Sequence, residues 1–133
     1  MTTSREHERQ LVLAFILPQR QSRYLELLEK PKRRKEITDA LAHFKHLDAR
    51  YAFTIPSQHG STLGILELLR SKGAPDSCYA FSEDDSLDGK ELPLAEALAS
   101  VVGYGMGTFL SCVPGRLAYF EDEDGRFILE RKK

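Results

Sequence analysis

The stretch Thr108-Phe-Leu-Ser-Cys-Val-Pro-Gly-Arg-Leu-Ala-Tyr-Phe-Glu-Asp-Glu-Asp-Gly-Arg-Phe-Ile-Leu-Glu-Arg131 decides the fold. It divides at its turn residues into three short apolar and aromatic runs, Thr108 to Val113, Arg116 to Glu121 and Arg126 to Arg131. Each reads as a strand. Asp124-Gly125 predicts a type I′ hairpin, whose positive φ angles suit these two residues. Pro114-Gly115 favours a type II turn, which splays a tight hairpin, so a wider loop or a bulge is expected there.

Strands and helices alternate upstream of this stretch. Tyr51-Ala-Phe-Thr-Ile55 reads as a strand closed by Pro56, and Ser77-Cys-Tyr-Ala-Phe-Ser82 as another. Between them Ser61 or Thr62 can cap a helix carrying Ile65, Leu66, Leu68 and Leu69, stopped by Lys72-Gly73. A further helix is expected at about Leu94 to Val102. The first half reads as helices. Leu11 to Leu17 is apolar throughout, so periodicity alone does not separate helix from strand. The helix formers in Glu6 to Gln10 favour helix. Pro18 and Pro31 suit the starts of a second and a third helix. The expected fold is α/β or α+β: N-terminal helices, then β-α-β-α-β-β-β, in a mixed sheet with helices packed on it. In that arrangement strands 51–55, 77–82 and 108–113 run parallel through crossovers, with an all-antiparallel sheet as the competitor.

The chain has 133 residues, 41% hydrophobic and 29% charged, with 9 Gly and 6 Pro, an ordinary globular composition. Surface scaling gives roughly 7,100 Å² exposed when folded, so about two-thirds of the extended surface is buried and no staple is required. These figures predict one globular domain over residues 1–133, with residues 1–10 partly disordered. Leu11 to Leu17 is too short to span a bilayer, and no signal peptide frames it. A cytoplasmic location without membrane contact is the expectation. Cys78 and Cys112 lie in apolar strands and match no zinc spacing. They are expected to be buried thiols, with a disulfide open to them if their strands are neighbours.

A net charge of −1 hides an asymmetry. Residues 1–50 hold 11 Lys/Arg against 7 Asp/Glu, and residues 51–133 hold 8 against 13. Arg20, Arg23, Lys32, Arg33, Arg34 and Lys35 form the densest basic region and are the candidate contacts for nucleic acid. A slightly acidic chain without a recognisable binding module argues against that use.

Chemistry is best sought in two polar loops. Ser57, His59, Ser61 and Thr62 precede a helix N-terminus, where free N–H groups favour an anion. Glu83, Asp84, Asp85 and Asp88 offer hard oxygen ligands of the kind Mg²⁺ or Ca²⁺ accepts. On adjacent parallel strands the two loops would meet and suit a phosphate-bearing ligand with a metal. The plainer reading makes them helix caps. His43 and His46, three apart, lack a third ligand. Cys112, His59 and Asp88 lack a nucleophile elbow. Gly103-Tyr-Gly-Met-Gly107 ends a helix and opens a strand, the reverse of a phosphate loop, and predicts positive φ and close backbone approach. No catalytic residue, metal or cofactor is assigned. The expected function is a small binding or regulatory domain that contacts a protein or a small anionic ligand. A metal-assisted phosphohydrolase or nuclease working through the two loops is the alternative, and nucleic-acid binding follows it.

Overall fold

Helices occupy the first third of the chain because apolar side chains recur there on one face. The computed structural model describes residues 4–131. Helix α1 (Ser4–Phe15) buries Leu11, Val12, Ala14 and Phe15. Residues 4–10 of the segment expected to be partly disordered belong to it, and residues 1–3 lie outside the described part. Ile16 leaves the helix to bridge Leu47. Helix α2 (Pro18–Leu28) starts on Pro18, whose missing N–H does no harm there. A 3-10 turn over Pro31–Arg33 leads into α3 (Arg34–Ala40), where Ile37 is buried.

The remainder supplies β1 (Ala52–Thr54), α4 (Thr62–Ser71), β2 (Ser77–Ser82), β3 (Glu91–Pro93), α5 (Leu94–Val101), β4 (Thr108–Val113), β5 (Leu117–Glu121) and β6 (Arg126–Glu130). The six strands form one sheet in the order β1-β6-β5-β4-β2-β3, and every pairing is antiparallel. The class is therefore α+β. The expected mixed sheet, with three parallel strands, is corrected. Its cause is β3, a three-residue edge strand that the sequence reading missed. It reverses the chain after β2, so β4 returns beside β2 in the antiparallel sense.

Side chains alternate across the sheet and feed two apolar clusters. Tyr79, Phe81, Phe109, Ala118, Phe120 and Leu129 pack against the N-terminal helices. Cys78, Ala80, Leu110, Cys112, Leu117, Tyr119 and Ile128 pack against α4 and α5. A register shift between Ser111 and Val113 supplies the bulge expected beside Pro114-Gly115. The other turn differs from expectation. Glu121 pairs with Arg126, leaving a four-residue loop in which neither Asp124 nor Gly125 has positive φ. The Asp122 carboxylate accepts the Asp124 and Gly125 N–H groups at 2.8 and 3.1 Å, so an Asx-type turn replaces the type I′ one. No helix among the described residues is long and apolar enough to cross a membrane.

Candidate functional site

The two polar loops lie at the same end of the sheet, because β1 and β2 point the same way. Three strands separate them, which at ordinary spacing is about 19 Å. The juxtaposition that a shared phosphate and metal site needs is absent. Ser57 and His59 bound a 3-10 turn, and Gly60 accepts a hydrogen bond from Arg126 at 3.0 Å. Ser61 is the N-cap of α4, its Oγ accepting the Gly64 N–H at 3.0 Å, and Thr62 is that helix's first residue. In the acidic loop Asp84 accepts from the Ser86 N–H and hydroxyl. Glu83 accepts the Gly107 N–H at 2.5 Å, while Asp88 accepts from the Ser82 N–H and from Arg34. Asp85 is exposed. No group of three or more His, Cys, Asp or Glu among the described residues is arranged to hold a metal ion.

The glycine loop after α5 uses its N–H groups on the protein's own carboxylates. Glu121, 2% exposed, accepts from Gly103 and Gly105 and from the Tyr119 hydroxyl. Burial, followed by this hydrogen bond, pushes the Tyr119 phenol up from its ordinary value. Gly103 and Gly105 have the positive φ expected of them, 89° and 73°.

The basic region is largely ion-paired. Arg33 binds Glu36 through two hydrogen bonds, Arg23 lies near Glu26 and Glu36, and Lys35 near Asp39. Arg20 and Lys32 are exposed. Arg34 differs from its neighbours. Its guanidinium binds both oxygens of Glu8, at 2.8 and 2.6 Å, and both of Asp88, at 2.7 and 2.9 Å, while stacking over Phe81. Burial opposes its charge, but hydrogen bonds to Asp88 and Glu8 outweigh burial and raise its pKa. Tyr79 donates a short hydrogen bond to Glu8, and His7 stacks on Tyr79 while contacting the Ser111 hydroxyl at 2.7 Å. This network joins α1, α3, the sheet and the acidic loop. Ser111 has no exposed surface, which closes it to an external substrate. His43 meets Glu123 and Asp124, whereas His46 meets the Tyr24 hydroxyl, so the two histidines point to different partners.

An opening with a mainly apolar lining lies elsewhere. Beside β1, which pairs only with β6, is a groove of 640 Å³, within the usual range for ligand sites. Tyr51, Phe53, Pro56, Leu68 and Ile128 give it an apolar lining, with Arg50, Lys72 and Glu130 alongside. Phe53 opposes Ile128 across the ladder and so faces the α4 side, but stays 50% exposed because its strand is the last in the sheet. Tyr51 is held between the guanidinium groups of Arg50 and Arg131, 5.2 and 4.5 Å from its ring centre. Asp48 orients Arg50 by accepting from its N–H and its side chain. The Arg50 hydrogen bond holds the Asp48 carboxyl below its ordinary value. Sequence reasoning missed this groove because an edge strand is defined by the partner it lacks. Pro56, closing the strand read over residues 51–55, was the available signal; the structure shortens that strand to Ala52–Thr54. Compared with protein families, curated proteins and solved structures, the chain matches none.

Proposed function

We propose that this chain is a protein-binding module whose groove beside β1 takes an extended segment of a partner. The half-exposed Phe53, set in an apolar groove along an edge strand, carries this reading. An added strand would pair with the free side of β1 and place alternate side chains over Phe53 and Leu68. Arg50 is paired with Asp48 and Lys72 with Glu130, so the basic excess near the groove is the single charge of Arg131 beside Tyr51, and the fitting segment is mainly apolar with an acidic residue placed near Arg131. A cytoplasmic setting belongs to the same proposal and is supported by two free, buried cysteines.

The test is selection of nine-residue peptides from a random display library on the full chain, followed by affinity measurement on synthesised winners. Mainly apolar sequences carrying an acidic residue are expected, with binding weakened at least about tenfold by Phe53→Asp. Winners that bind the Phe53→Asp variant unchanged, or no enrichment at all, would overturn the proposal.

A further inference from the structure

Cys78 and Cys112 stand on adjacent strands. The β2–β4 ladder pairs Ser82 with Thr108, Phe81 with Phe109, Ala80 with Leu110 and Tyr79 with Ser111. Cys78 and Cys112 are the next residues beyond the last pair of that ladder, Cys112 being the extra residue at the bulge between Ser111 and Val113. Both side chains belong to the cluster under α4 and α5, so they project from the same face of the sheet. The adjoining pair Tyr79–Ser111 fixes the two strands at ladder spacing, where opposed Cα atoms are about 4.5–5.5 Å apart, and a disulfide spans about 4.4–6.8 Å, so closure asks only for a local adjustment at the bulge. Both cysteines also line one cleft of 440 Å³ at the end of these strands, with His7 and Glu91 on its walls. Both cysteines are buried, at 2% and 4% exposure, so the cleft marks the side from which a small reagent would have to approach.

We propose that Cys78 and Cys112 form a redox clasp, closing to an intramolecular disulfide when a low-molecular-weight disulfide oxidises them. The thiolate of one cysteine attacks a sulfur of the oxidant, breaking its S–S bond and releasing one thiol. The second cysteine, losing its proton, attacks the resulting mixed disulfide and expels the other thiol. Two protein thiols are thereby oxidised, and one small disulfide is reduced to two small thiols that carry away both protons.

Burial pushes the thiols of both Cys78 and Cys112 well up from their ordinary value, so little thiolate forms and the reaction is slow at neutral pH. The clasp would tie β2 to β4 across a 34-residue separation in sequence. It lies in the half of the sheet away from β1, whereas Phe53 stands on β1 itself.

The experiment incubates the folded full chain with oxidised glutathione and follows intact mass, peptide maps and thermal unfolding. The expected product is lighter by about 2 Da, the two thiol hydrogens, with residues 78 and 112 linked. Its Tm is expected to rise by roughly 5–15 °C and to return on reduction. Cys112→Ser should abolish the linked species. Stable glutathione adducts without closure would overturn the proposal. So would linkage between two chains, or reaction only after unfolding in urea.

Discussion

Arg34 sits between two basic neighbours in sequence, yet its guanidinium pairs with two largely buried carboxylates, those of Glu8 and Asp88. Arg34→Met would strand both. Breaking such pairs costs about 3–5 kcal/mol when fully buried, and partial exposure here reduces the expectation to about 2–4 kcal/mol. Urea denaturation should show this loss, whereas Arg33→Met, at an exposed ion pair, should leave the midpoint unchanged. Composition could not separate the two arginines. The partners of Arg34 lie 26 and 54 residues away, on elements whose placement only the fold determines. His7 carries a second expectation. Burial lowers its pKa against the raising influence of Glu91, Glu6 and Glu8. The unfolded chain then binds the extra proton first, so stability falls as pH drops through the ordinary histidine value of about 6.5. His46 acts in the same direction and His43, raised by Asp124, in the opposite one. Stability curves from pH 7 to 5 should therefore be flatter for His7→Asn than for the parent chain. An unchanged slope would show that His7 does not contribute.

Among the elements, the glycine loop after α5 is where sequence reading and structure agree in chemical detail. Backbone crowding was expected there, and a Cβ at Gly107 would stand 2.1 Å from the Leu41 carbonyl oxygen. Gly107→Ala must push β4 and the chain after α3 apart, and a loss of about 2–4 kcal/mol is expected. Gly73→Ala meets only an unfavourable positive φ in open space, so about 1 kcal/mol is expected. Equal losses in chemical denaturation would contradict this account of Gly107. The boundaries of β2 and β4 were also legible, because their apolar runs are continuous and bounded by turn residues. β3 was not. Two of its three residues are exposed and the third is only partly buried, so no alternation marks it. The strand order depended on that missing element, and so did the position of the acidic loop relative to the Ser57–Thr62 loop.

For the whole molecule, the accessible surface of 7273 Å² agrees with the value of roughly 7,100 Å² expected from mass. Helices cover both faces of the sheet, and the exposed large apolar side chains among the described residues are Phe53, Leu63, Tyr104 and Met106. Only Phe53 of these lines the groove at β1, the site of the proposed peptide binding. Phe53→Asp should leave thermal stability nearly unchanged, since the ring is already half in water, while removing peptide affinity. A large fall in Tm would instead make Phe53 a core residue. Amide hydrogen exchange of Ala52 to Thr54 and of the β3 edge, with and without saturating selected peptide, tests the central claim most directly. Strand addition predicts slowed exchange in β1 and no change in β3. Protection at β3, or in the 57–62 and 83–88 loops with β1 unaffected, would contradict it.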